Sequence, residues 1–473
     1  MTAKPFVRPV RGQGRSHISP ARKKQDPPKG AHSKRHKETA LFEHQAIRWR
    51  LPAFILLCGL GTTVRAAPQP LSALPLQPAA DGWVLPAGDH VGPFIIDQPI
   101  TLRCAEGAVL QSAGQGNVLT ISASDVTIKN CDLRNWGHNL TDMNAAIFVE
   151  QTAHDVVLRN NHLRGPGFGI WSDSTRNLRV ERNLVEGDPE LRSQDRGNGI
   201  HLINTNEATV IDNRVLNTRD GIYLGNSNNN LIQGNLMEDL RFGIHYMFSQ
   251  SNRVIDNTTR RTRTGYALMQ SRMLTVENNR SEDDRNYGIL MNFITYSTIS
   301  NNVVSNVQRG QTGDDSMIKG GEGKALFIYN SLFNTIHNNH FERSNLGIHL
   351  TAGSENNKIS SNAFVGNEQQ VKYVATRTQE WSVEGRGNYW SDYLGWDRND
   401  DGLGDVPYEP NDNVDRLLWM YPQVRLLMNS PAIQLLRWVQ RAFPVIKMQG
   451  VQDSHPLMQL PTTHLTQRTQ ESP

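Results

Sequence analysis

Three cysteines in 473 residues are too few to frame a disulfide-built scaffold, and no further ligands fall around them to complete a metal motif. Long apolar runs are missing too: Leu51 to Leu60 is apolar but too short to cross a bilayer. The chain has no Gly-x-x-x-x-Gly-Lys phosphate loop and no nucleophile elbow, which removes two large enzyme classes. The Leu-x-x-Leu-x-Leu frame of a leucine-rich repeat is also absent. A basic body is lacking despite the net charge of +3. Residues 1–50 hold 13 Lys/Arg against 3 Asp/Glu, so the leader carries +10 and the remainder −7. That balance argues against a nucleic-acid partner.

What the chain does contain is a repeat of about 22 residues. Gly199-Ile200-His201-Leu202 leads to Asp212-Asn213, and Gly221-Ile222-Tyr223-Leu224 leads to Gly234-Asn235. Gly243-Ile244-His245-Tyr246 leads to Asp256-Asn257, Gly265-Tyr266-Ala267-Leu268 to Asn278-Asn279, and Gly288-Ile289-Leu290-Met291 to Asn301-Asn302. Weaker copies reach back to Asn161 and Asn183 and forward to Asn339 and Asn362. Each copy holds short runs alternating with period two, which means strands. One copy cannot bury its apolar face alone, so copies must stack. Recurrent Asn at one turn then forms an amide ladder between coils. The fold expected is all-β: a right-handed parallel β-helix over residues 68–396 with capped ends.

Residues 1–50 are a basic leader that cannot bury a core. Residues 51–67, with Arg48 and Arg50 before them and Val64-Arg65-Ala66 near their end, read as a signal-peptide core and cleavage region; the alternative is a buried core segment. Export leaves Cys104 and Cys131, in similar frames on adjacent coils. They are either a disulfide closing the N-terminal end or two buried thiols. Residues 70–101 read as a lead-in cap. Insertions at 187–198 (Asp188, Glu190, Asp195) and 309–324 (Asp314, Asp315, Met317) should emerge as loops, functional or decorative. Trp381 to Trp396, rich in aromatics and glycine, should close the far end.

Residues 397–412 form an acidic loop. Oxygen-bearing side chains at Asp397, Asn399, Asp401 and Asp405, with the carbonyl of Leu403 and a turn at Gly402, suit calcium, although Tyr408 replaces the twelfth-place Glu of an EF-hand. The bland reading is a solvated turn. Residues 413–446 read as two amphipathic helices, the second capped by Ser430, begun by Pro431 and stopped by Pro444. Residues 447–473 read as a flexible tail.

In each coil the residue after Gly and the one two places later face inward. The outward column is then His201, Tyr223, His245, Ala267, Leu290, and the next is Ile203, Gly225, Met247, Met269, Asn292. Coils lie about 4.8 Å apart, so Met247 and Met269 stack with His245 on the same face. Two thioethers and an imidazole suit Cu(I). The competing readings are space-filling methionines and an exposed histidine. Outward Met247, Phe248, Met269, Phe293 and Tyr329 also make a protein-docking face. A second function class is a secreted lyase or C5-epimerase acting on a uronic-acid polysaccharide, with Asp283, Asp284, Arg285 and Tyr287 as its local candidates.

From about Ala73 to Phe443 the sequence resembles the NosD family. The most specific stretch is Gly387-Asn388-Tyr389-Trp390-Ser391-Asp392-Tyr393 running into Trp396-Asp397-Arg398-Asn399-Asp400-Asp401-Gly402-Leu403-Gly404-Asp405-Val406-Pro407-Tyr408. Asp415-Arg416-Leu417-Leu418 and the Ser430 to Pro444 helix extend it. The resemblance implies a periplasmic, non-enzymatic scaffold. Its implied partners are an ABC permease with its ATPase, a copper-chaperone lipoprotein and apo nitrous oxide reductase, whose copper–sulfur centre it helps to load. It also implies membrane association through the permease, by way of residues 415–443.

Overall fold

A computed structural model describes residues 67–309, 323–351, 353–374, 377–411, 430–442 and 450–461. The leader, the export segment up to residue 66, most of the second insertion and the helix expected at 413–428 lie outside the described residues.

The chain winds into a parallel β-helix with three faces, each a sheet of 13 strands. All coil-to-coil pairings are parallel; the exception within these sheets is the hairpin of Gln77–Ala79 on Gly82–Leu85. Gly82–Leu85, Gly88–Val91 and Phe94–Ile96 already occupy rungs on the three faces, so the lead-in is shorter than residues 70–101. Ile222, Leu224, Ile244, Tyr246, Leu268, Ile289 and Met291 fill the lumen with no exposure, as period two requires.

The recurring dipeptides have two separate jobs. The first residue sits at left-handed φ: Asp212 at 54°, Asp256 at 56°, Asn278 at 57°, Asn301 at 55°, Gly234 at 66°. Asp, Asn and Gly tolerate that conformation best. The second residue turns its amide inward. Asn257 Nδ2 donates to Asn279 Oδ1 at 3.0 Å and to the Ile232 carbonyl at 2.9 Å, while its backbone N–H donates to the same Asn279 oxygen. The same link joins Asn161, Asn183, Asn213, Asn235, Asn257, Asn279, Asn302, Asn339, Asn362 and Asn388. Spacing lengthens to 30 residues between Asn183 and Asn213 and to 37 between Asn302 and Asn339, where the two insertions leave the wall.

The ladder is directional, so its ends need different chemistry. It opens with the backbone N–H of Cys131 donating to Asn161 Oδ1 at 3.0 Å. Cys131 is bonded to Cys104 with their Cα atoms 4.9 Å apart, so of the two readings of this pair the disulfide is found. It closes on Asp453, a pure acceptor, whose Oδ2 takes the backbone N–H of Asn388 at 2.7 Å and Trp390 Nε1 at 2.8 Å. Asp453 is fully buried, and Val451–Gln452 pairs with Gln379–Glu380. This corrects the expected tail: residues 450–461 are a strap across the C-terminal end, because the last ladder amide needs an acceptor that no further coil supplies. Trp381 and Trp390 lie beneath the strap, and Phe364, Trp390 and Tyr408 stack in series at 4.4 and 4.6 Å.

Pro431–Ala442 is helical, with Ser430 Oγ accepting the N–H of Ile433 as the cap requires. Leu435, Trp438 and Val439 are exposed on it.

Candidate metal centre

One sheet carries the outward columns. Its strands Asp220–Gly225, Phe242–Met247, Thr264–Met269 and Tyr287–Asn292 lie in the expected register: Trp171, His201, Tyr223, His245, Ala267 and Leu290 pair in sequence. Gly225, Met247, Met269 and Asn292 form the neighbouring column. Outward does not mean exposed here. His201 and His245 are about nine-tenths buried, and Ala267 is wholly so.

The burial has a local cause. Strict alternation back from Ile244 would send Phe242 inward. Instead Gly243 turns toward the lumen corner, where a Cβ would strike the Thr259 methyl and the Gly265 carbonyl. Phe242 therefore comes out beside His245, with ring centres 4.9 Å apart. Asp220 occupies the equivalent place one coil earlier. Rings continue along the column: Trp171 on His201 at 4.0 Å, His201 on Tyr223 at 4.4 Å, Tyr223 edge-on to His245 at 4.9 Å. The stack stops at His245, because the next rung supplies only the methyl of Ala267.

Asp220 is fully buried at the head of this group. It accepts two hydrogen bonds from Arg241, at 2.7 and 2.6 Å, and one from His245 Nδ1 at 2.9 Å. Burial alone would raise its pKa. The hydrogen bonds from His245 and Arg241 outweigh that and hold it at about 2. Arg241 also lies over the Phe242 ring at 4.4 Å. His245 Nε2 is buried and has no protein partner. His201 differs: burial holds its pKa at about 3 against the pull of Asp220, and its Nδ1 faces Asn198 Nδ2 at 2.8 Å.

Met247 and Met269 are directly paired and half-buried. Met291 faces the lumen, and Met273 lies past the turn with 44% exposure. Of the expected docking face, Phe248, Phe293 and Tyr329 are exposed. Tyr296 and Phe333, stacked at 5.2 Å, enlarge it. Phe248, Met273, Phe293, Tyr296 and Phe333 all sit at φ between 53° and 58°. Bulky residues in that conformation are strained as well as exposed, so folding does not account for them. Among the described residues no three His, Cys, Asp or Glu gather as a metal site. His245, Met247 and Met269 share one face on adjacent rungs, and an imidazole with two thioethers is a donor type that suits a soft ion and not a hard one.

The acidic loop is closed by its own backbone. Asp397 accepts from the N–H groups of Asp400 and Gly402 at 2.8 Å, Asp401 from Leu403 and Asp405 from Arg398 at the same distance, and Asn399 Nδ2 donates to Asp401 at 2.9 Å. Tyr408, where an EF-hand has Glu, belongs to the cap: its ring stacks on Trp390 and its hydroxyl donates to Asp392 at 2.9 Å.

The lyase candidates do not share a site. Asp284 points into the wall and is fully buried, accepting from Thr259 and Ser281 hydroxyls and from the Thr262 N–H and hydroxyl. Burial raises its pKa to about 6 despite those bonds. Asp283 is exposed on the turn, and Tyr287 stacks on Phe327 at 5.4 Å.

The fold defines a parallel β-helix scaffold, one face of which pairs Met247, on the rung that carries His245, with Met269. A family model described as "Periplasmic copper-binding protein (NosD)" matches residues 181–395. A Stutzerimonas stutzeri protein named probable ABC transporter binding protein NosD is 65% identical over 433 residues, covering 91% of this chain and 99% of that one. A Pseudomonas aeruginosa protein of the same name is 62% identical over 408 residues, covering 86% and 94%. The A-module of a mannuronan C-5 epimerase from Azotobacter vinelandii superposes with a TM-score of 0.43 at 14% identity, covering 62% of this chain and 87% of that one. The chain belongs to the NosD family. No described helix is long and apolar enough to cross a membrane.

Proposed function

We propose that this chain is exported to the periplasm and serves there, without catalysing a reaction, as the copper-receiving scaffold of an ABC-type system that assembles the copper–sulfur centre of nitrous oxide reductase. Copper is its cargo. His245, Met247 and Met269 hold the ion in transit, a copper-chaperone lipoprotein supplies it, and the apo-reductase docks on the exposed aromatic face. The permease and its ATPase engage the C-terminal helical region, which leaves Leu435 and Trp438 exposed. The Cys104–Cys131 disulfide agrees with an oxidising compartment. The observation that carries the reading is the buried, unpartnered Nε2 of His245 on the face of paired Met247 and Met269.

Cu(I) titration of the mature protein against a chromophoric chelator tests it. One copper bound, and lost in Met247→Ala/Met269→Ala, is the expected result. No binding by the wild type would remove the metal role from this chain alone. Binding that survives the double variant would move the site elsewhere.

A further inference from the structure

The outward column carries two histidines, and their hydrogen bonds set them in opposite protonation patterns. Asp220 accepts from Arg241 on both of its oxygens, so towards His245 it is an acceptor as well. His245 Nδ1, 2.9 Å away, must therefore be the donor. In the tautomer with its proton on Nδ1, the lone pair is on Nε2, the buried atom without a partner. His201 is held the other way. Asn198 Oδ1 accepts the Asp220 N–H at 3.3 Å, which turns Asn198 Nδ2 toward His201 Nδ1 at 2.8 Å. That nitrogen accepts, so the His201 proton is on Nε2.

We infer that Asp220 is a positioning residue for metal capture: with Arg241 behind it, it fixes the ring of His245 and presents Nε2 as a ligand, and it thereby selects His245 over His201. The inference rests on the copper reading above, but its first half concerns the apo protein. A carboxylate behind a ligating histidine orients the ring and raises its basicity, and loss of such a partner costs about 10- to 100-fold in affinity. Asp220 has no contact with water to maintain and does not extend the Asn ladder, so its fully buried place on the outer face needs this kind of account.

The test has two arms on the mature protein. In the metal-free protein at pH 7, long-range nitrogen-15 spectra of labelled histidines, with His245→Gln and His201→Gln to assign the signals, read the tautomers. Proton on Nδ1 for His245 and on Nε2 for His201 is expected. The Nε2–H form or the doubly protonated ring at His245 would overturn the inference whatever copper does. In the second arm Cu(I) affinity is measured for Asp220→Asn and His201→Gln. Asp220→Asn should weaken binding about 10- to 100-fold with one nitrogen ligand lost from the copper absorption spectrum, and His201→Gln should leave it unchanged. Full affinity in a folded Asp220→Asn, or loss in His201→Gln, sinks the positioning role. Absence of wild-type binding sinks the copper reading itself, while the tautomer arm still reports on Asp220.

Discussion

Asp220 and Asp284 are both withdrawn from water, one on the outer face and one in the wall, and burial leaves them chemically opposite. Asp284 is surrounded by hydroxyls and one amide, none of them charged, so its acid form is favoured and its pKa rises to about 6. Asp220 meets a guanidinium and an imidazole, and its pKa falls to about 2. Along the Asn ladder and around Asp284 the buried polar groups answer one another, while in the lumen Tyr246 Oη and beneath the strap Trp381 Nε1 have no partner. The outer face keeps a charged group and leaves nitrogen atoms unanswered: His245 Nε2, His201 Nε2 and Arg219 Nε. Unsatisfied buried polar atoms cost stability and mark places where something besides folding sets the residue.

The largest effect should come from breaking the satisfied region. Asn257→Leu removes an acceptor used by Asn235 and leaves the Ile232 carbonyl and Asn279 Oδ1 short of a donor. Two or three unsatisfied buried groups predict a loss of about 3 to 5 kcal/mol in chemical denaturation. Cu(I) affinity of the folded fraction should not change. Lost affinity with intact folding would erase the distinction between wall and face.

The two acids give opposite pH signatures. Asp284 titrates higher in the folded state, about 6 against an ordinary 3.8. Its contribution is complete below pH 3.8 and disappears as pH rises through 6, a change of about 3 kcal/mol for two units. Asp284→Asn keeps an acceptor for Thr262 and a donor for the hydroxyls, and should flatten stability across that window. Unchanged pH dependence in the variant would show that another group is responsible.

Asp220 runs the other way. Its folded pKa is lowered from 3.8 to about 2, so its contribution is present above pH 3.8 and is lost as pH falls toward 2. Asp220→Asn should cost about 2 kcal/mol at pH 7 and nearly nothing at pH 2. An equal loss at both pH values would point to packing in place of charge.

The coil period, the three-faced wall and the ladder are legible in the sequence because one constraint recurs. A left-handed residue must precede each inward amide, so Asp-Asn and Asn-Asn pairs repeat with the coil. Even the start at Cys131 falls in that frame. The closing acceptor does not: Asp453 lies 65 residues beyond Asn388 and belongs to no period. Alternation alone places His245, Met247 and Met269 on one face, as the register has them. Asp220 and Arg241 escape it, because the alternation that places Ile222 inward also places Asp220 inward, and only the turn at the following glycine brings it out. The aromatic ridge has a readable signal, namely Phe, Tyr and Met at left-handed φ where other coils hold polar residues such as Asn204, Glu207, Asn226, Asn229 and Gln270.

The smallest effect concerns the acidic loop, which sharpens the comparison from a third side. If Asp397, Asn399, Asp401, Asp405 and the Leu403 carbonyl take calcium, the ion must displace bonds already formed to the N–H groups of Asp400, Gly402, Leu403 and Arg398. That competition favours a weak site. With dissociation constants of about 0.1 to 1 mM, typical of weak extracellular sites, 1 mM calcium would stabilise the fold by about 0.4 to 1.4 kcal/mol. Melting with calcium and with chelator, on the wild type and on Asp397→Asn/Asp401→Asn, reads this directly. A shift present only in the wild type supports a structural ion in this loop. Identical curves in calcium and chelator would mean that the carboxylates are satisfied by their own loop, as Asp284 is by the wall, in contrast to the Asp220–His245 pair, where Nε2 stays unanswered.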